Sequence, residues 1–117
     1  QIEFTHIMEN VVYNELRKLG YTVDVGSVES FKRDENGKLQ RRNLEIDFVV
    51  NRHDERLYIQ SAYALPDKEK IDQEQASLLN VKDGFRKVII VGDRYYSNYN
   101  EEGIMMMSLF DFLLGTK

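Results

Sequence analysis

Residues 43–63, NLEIDFVVNRHDERLYIQSAY, hold two apolar-rich runs on either side of a short charged turn. Leu44, Ile46, Phe48 and Val50 alternate with Glu45, Asp47 and Val49, and beyond the turn Leu57, Ile59 and Ser61 alternate with Tyr58, Gln60 and Ala62. A period of two is that of extended chain, so the segment is predicted to be a β-hairpin inside a sheet. Asp47 and Gln60 interrupt a pattern that packing alone would fill with Val or Ile. A polar group in the middle of a core sheet must either find hydrogen-bond partners or be used for chemistry. Taken singly, Asp47 reads as a structural or solvated carboxylate and Gln60 as an ordinary hydrogen bonder.

The rest of the chain bounds what such a hairpin can belong to. With 117 residues there is enough chain for one domain around one core. The absence of cysteine excludes disulfides and thiolate metal sites, and His6 and His53 are too far apart in sequence to suggest a zinc centre. No apolar run approaches the length of a membrane span and no signal-peptide pattern opens the chain, so a soluble, cytoplasmic protein without membrane contact is expected. A first residue of Gln1 directly before a helix-like segment suggests a piece of a longer protein. The net charge of −4 has the wrong sign for a domain that holds nucleic acid by neutralising phosphates. Arg33, Lys38, Arg41 and Arg42 form a local basic cluster, read first as a charged, solubilising hairpin tip.

From Thr5 to Leu19, Ile7, Met8, Val11, Val12, Leu16 and Leu19 recur at helical spacing, with Thr5 as N-cap and Gly20 closing the helix. Glu9 falls near the edge of that stripe, where a surface glutamate is the default. A first strand is predicted over 21–28 with Gly26 at a bulge or bend, and Asn36-Gly37 turns the chain back into a strand over 38–50. A third strand spans 57–63, with His53 exposed at the intervening turn. Asp67 caps a second helix reaching about Asn80, with Ile71, Gln75, Leu78 and Leu79 on one face. The unbroken run Val88, Ile89, Ile90 and Val91 predicts a central strand over 86–92 covered on both sides, parallel to its predecessor through a helical crossover. Tyr95, Tyr96 and Tyr99 fall in a polar loop, and a short strand over 104–107 leads to a final helix capped by Ser108 with Asp111 and ended by Gly115. Three successive methionines cannot share a face, and they read as core filling. No Gly-rich phosphate loop and no triad arrangement is present.

Helix, three meandering strands, helix, central strand, short strand and helix is the order of the restriction-endonuclease-like fold, an α/β, three-layer architecture around a central mixed sheet. Glu9, Asp47 and Gln60-Ser61-Ala62 resemble the three positions of the PD-(D/E)xK nuclease superfamily, in which a helix glutamate, a strand aspartate and a strand Glu-x-Lys pair hold a divalent metal. More narrowly, HIMENVVYNELRKLGY, LEIDFVV, LYIQSAY and GIMMMSLFDFLL are similar to the C-terminal domain of uncharacterised bacterial ATPases of the P-loop, AAA-like type. The likeness covers nearly the whole chain, and residues 1–117 are read as a single nuclease-like domain.

The resemblance implies a site that has lost two of its members. Carboxylates about 2.0 to 2.2 Å from Mg²⁺ organise a water and the scissile phosphate, while a nearby lysine stabilises charge. Gln60 puts a neutral amide at the acidic position, and Ala62 removes the cation. Glu9 and Asp47 alone would hold Mg or Mn weakly, and no cofactor is otherwise expected. The expected function is a noncatalytic interaction or regulatory domain of a P-loop ATPase, with a degenerate nuclease-like site and no catalytic residues. The expected partner is an upstream ATPase domain of the same chain. The Tyr95–Tyr99 loop or residues 105–109 are expected to dock on that neighbouring domain or on a second copy, which would make a homo-oligomer. The alternatives are a divalent-metal-dependent nuclease on DNA or RNA, with Lys68 or Lys70 supplying the cation, and a nucleic-acid-binding module.

Overall fold

A computed structural model describes residues 2–93 and 96–115. Its elements are α1 (Ile2–Lys18), β1 (Thr22–Arg33), β2 (Leu39–Arg52), β3 (Glu55–Ala62), α2 (Lys68–Leu79), β4 (Arg86–Val91), β5 (Asn98–Tyr99), β6 (Met105–Ser108) and α3 (Leu109–Leu114). One six-stranded mixed sheet carries them in the order β1-β2-β3-β4-β6-β5. The β1–β2 and β2–β3 pairs are antiparallel, and β3–β4 and β4–β6 are parallel. The helical crossover through α2 thus joins two parallel strands, as the run at Val88 requires of a strand buried on both faces.

Two apolar clusters lie against the two faces of the sheet. On one, Met8, Val12 and Leu16 of α1 pack with Phe48, Val50, Ile59, Val88 and Ile90, and Leu109 and Phe112 of α3 extend the layer. On the other, Leu78 of α2 packs with Ile46, Tyr58, Ile89, Val91 and Met106. Successive residues of β4 alternate between the clusters, which is why the sequence at this strand is apolar throughout. Met105 and Met107 join the first cluster and Met106 the second. These methionines fill the core, as their spacing in the sequence suggested.

The ends of the helices follow from local chemistry. After α1 the Tyr21 amide donates to the Leu16 carbonyl and the Gly20 amide to that of Arg17, with Gly20 at φ +93°. This is a Schellman closure, and Leu16 and Tyr21, which it brings together, are both in the core. The Asp67 carboxylate accepts from the Lys70 amide and caps α2, and the Ser108 hydroxyl accepts from the Asp111 amide to cap α3, which ends at Gly115. Asn100 reaches Gln75 of α2 at 3.0 Å and accepts from the Glu102 and Ile104 amides, which accounts for a buried glutamine within the α2 stripe.

Several boundaries and faces differ from the sequence expectations. Thr5 is not a cap, because α1 already begins at Ile2. Ile7 is 58% exposed and Leu19 and Leu79 are also exposed, since only the narrower stripe of each helix meets the sheet. The first strand runs past Val28 to Arg33 because β2 offers it a partner all the way to Leu39. The connecting turn holds the Gly37 amide on the Asp34 carbonyl, with Gly37 at φ +79°, so it is a three-residue loop rather than the two-residue one that Asn-Gly suggests. His53, exposed as expected, stands at φ 56° between β2 and β3. The short strand β5 had no counterpart in the sequence reading. Tyr96 and Tyr99 are exposed, while Tyr95 lies outside the described residues.

Candidate functional site

The β1–β2 register shifts between Asp24 and Gly26: Asp24 faces Val49, and Gly26 faces Ile46. Two residues of β2, Asp47 and Phe48, therefore oppose the single residue Val25, the signature of a β-bulge. Its consequence is a change of face. Ile46 belongs to the α2 side and Phe48 to the α1 side, although simple alternation places them together. Asp47 is carried to the α1 side, where with Glu9, Tyr13, Val25, Glu45 and Phe48 it lines a cleft of about 260 Å³.

At the same point β2 and β3 part company. Their ladder runs from Arg52↔Glu55 to Phe48↔Ile59. Beyond it, side chains replace the main-chain bonds. The Asp47 amide donates to Gln60 Oε1 at 2.7 Å, and Gln60 Nε2 donates across to the Glu74 carbonyl of α2 at 3.2 Å. The Asp47 carboxylate in turn accepts from the Ser61 amide at 2.9 Å and from its hydroxyl at 3.4 Å. Both strands thus remain connected while their backbones separate, and the Gln60 amide and the Asp47 carboxylate each have partners.

Burial pushes the Asp47 carboxyl up to about 6; the bond from the Ser61 amide opposes this, and the negative charges of Glu9 and Glu74 add to it. This carboxylate therefore takes up its proton at a pH where an ordinary aspartate is already charged. Glu74 also pairs with Lys70 at 3.1 Å. Lys70 and Glu74 line a second cleft, of about 380 Å³, together with Ser61, Ala62 and Pro66.

The structure therefore brings Glu9 and Asp47 to one cleft. Gln60 is not in it; it is buried beneath Asp47 and directed toward α2. Ala62 is buried and faces the neighbouring cleft. Two clefts thus stand in place of one, Glu9 and Asp47 lining the first and Ala62 the second, with the Asp47–Gln60–Ser61 joint between them. Among the described residues, no three His, Cys, Asp or Glu side chains are grouped to hold a metal ion. Lys68 is turned to Asp72 at the surface, whereas Lys70 stands beside the position of Ala62. Sequence reasoning missed the roles of Ser61 and Glu74. Ser61 is a small hydroxyl residue in a strand of larger side chains, a signal that was legible; the part played by the Glu74 carbonyl is main-chain and has no signature in the sequence. The basic cluster lies on the projecting half of the β1–β2 hairpin, where Arg33 donates to the Gly37 carbonyl and Arg41 pairs with Glu29 at 3.3 Å.

No protein-family model matches the chain. Over 111 residues, 95% of its length, the chain is 34% identical to an uncharacterised protein of Haemophilus influenzae. It spans 24% of that relative's length. Among the described residues, no helix is long and apolar enough to cross a membrane.

Proposed function

We propose that this chain is a noncatalytic interaction or regulatory domain with a restriction-endonuclease-like scaffold, attached in its longer protein to a P-loop ATPase domain. The observation that carries the reading is the engagement of Gln60. Its amide spans the Asp47 amide and the Glu74 carbonyl, so the position that resembles an acidic metal ligand serves as a cross-link between β2 and α2. A carboxylate at residue 60 could accept from Asp47 but could not donate to the Glu74 carbonyl, so the neutral amide is the chemistry this joint needs. Asp47, accepting from Ser61 and lifted to about 6, is a poorer ligand than a solvated aspartate, because a proton competes with any cation for it. With Ala62 in place of a lysine, the transition-state stabilisation that a positive charge provides in phosphodiester cleavage is also missing.

The arrangement of Lys70 beside Ala62 favours one second reading, a metal-dependent nuclease whose cation comes from α2. Incubation of the chain with plasmid, single-stranded DNA and RNA in Mn²⁺, beside Asp47→Ala and Lys70→Ala variants, separates the two. No cleavage is expected from any of them. Cleavage lost in both variants would establish the nuclease reading, and cleavage equal in all three would mark a contaminant. Calorimetry with Mn²⁺ on a Gln60→Glu, Ala62→Lys variant reports whether the scaffold still has the geometry of a metal site. Binding that is absent from the wild-type chain and present in the variant is the expected result.

A further inference from the structure

We propose that the open edge of β1 pairs antiparallel with β1 of a second copy, in the one register that sets Val28 opposite Val28, and so joins two six-stranded sheets into one. Strand β1, Thr22–Arg33, is twelve residues long, and its outer edge has no partner among the described residues. The opposite edge, β5, has only two residues. An open edge of that length presents a row of main-chain donors and acceptors, and proteins usually shorten, bulge or cover such an edge. Here it also carries apolar side chains: Val25 is 68% and Phe31 57% exposed. Val25 lines the Glu9–Asp47 cleft on the α1 side, and Phe31, an even number of residues away along the strand, shares that side.

The sequence of β1 is complementary to itself in this register alone. With Val28 on the two-fold axis, Val25 lies opposite Phe31 of the second copy, and Asp24 opposite Lys32, each pair occurring twice. Neither Asp24 nor Lys32 has an ion-pair partner among the described residues, and both lie on the α2 side of the sheet. Cross-strand apolar and opposite-charge pairs of this kind are what stabilise one register over another. Sliding the copies by one pleat in one direction sets Val25 against Glu29. Sliding in the other sets Glu29 against itself and Asp24 against Asp34. A slip by a single residue would put side chains on opposite faces. In the favoured register alternate residues of both strands exchange about ten main-chain hydrogen bonds. Phe31 of the second copy then rests on Val25, at the rim of the Glu9–Asp47 cleft. The surface is separate from the Gln60 joint, so this inference is read from oligomeric state and the functional proposal from metal binding and cleavage.

The test is sedimentation velocity on the chain over a concentration series, with Asp24→Lys and Lys32→Asp variants. Wild type is expected to dimerise. Each reversal replaces two attractive pairs by two repulsive ones and is expected to weaken the dimer about tenfold or more. Mixing the two variants restores opposite charges at all four positions, so the mixture is expected to recover a heterodimer near wild-type strength. A wild-type chain that stays monomeric throughout, a dimer indifferent to both reversals, or a mixture no stronger than its components would overturn the proposal. Single-cysteine variants give a reading that does not depend on charge, since the chain has no cysteine of its own. Oxidised Val28→Cys is expected to form a disulfide dimer, because directly opposed residues fall within disulfide range. Ser30→Cys, displaced from its own mate, is expected to remain uncrosslinked. Equal crosslinking of the two, or none at Val28→Cys, would overturn the register.

Discussion

Replacing Asp47 by asparagine removes a partly buried carboxyl whose burial conflicts with its charge, and the effect on stability follows from the structure. The carboxyl is lifted from 3.8 to about 6, chiefly by burial. Because the folded chain then holds a proton more tightly than the unfolded chain, this group's contribution to stability is fully present below 3.8 and is lost as the pH rises through about 6. At about 1.4 kcal/mol per pKa unit the loss amounts to about 3 kcal/mol. Asp47 is only partly buried, and solvent screening reduces that figure to about 1 to 2 kcal/mol. In Asp47→Asn the side-chain oxygen still accepts from the Ser61 amide, while the nitrogen lies in the field of Glu9 and Glu74 without adding a charge. Urea unfolding at about pH 4 and about pH 7 measures the outcome. The variant is expected to be more stable than wild type by about 1 to 2 kcal/mol at the higher pH, and to lack the wild-type decline between the two. A variant less stable at neutral pH, with the wild-type slope unchanged, would refute the assignment of that slope to Asp47 and the view that burial dominates at this residue.

Two further substitutions probe the neighbourhood. Gln60→Leu keeps the volume but leaves the Asp47 amide without its acceptor, and a loss of about 1 to 3 kcal/mol is expected in urea unfolding. A change within experimental scatter would mean that the joint does not hold β2 to β3. Gly26→Ala places a methyl group 2.5 Å from Val49 Cγ2, and a loss of about 1 to 3 kcal/mol is expected from the overpacking. Val49→Ala in the same chain should recover much of it, a coupling that a double-mutant cycle reads directly; additive effects would place the strain elsewhere.

The legible parts of this protein are those whose cause is local. Helix α1 announces itself through Met8, Val12 and Leu16 at intervals of four, and its end through Gly20, because a left-handed residue is what lets the last turn close. The run at Val88–Val91 identifies the central strand, since only a strand covered on both sides lacks polar alternation. Asp67 and Ser108 mark helix starts by accepting from amides three residues away. Asp47 and Gln60 stand out in the sequence as polar groups inside apolar strands, and the structure places them at one joint. Which way they face was not legible. A period of two puts Ile46 and Phe48 on one side, and the bulge that separates them exists only because β1 offers Val25 alone against Asp47 and Phe48. That mismatch is a property of facing residues more than twenty positions apart in the chain. The raised pKa of Asp47 is likewise non-local, for burial among other segments raises it first and the charges of Glu9 and Glu74 add to that, against the opposing bond from Ser61. The residue types on each strand were fixed by composition and order, but the face each one shows, and therefore the cleft it can serve, was decided by how strands distant in sequence came into register.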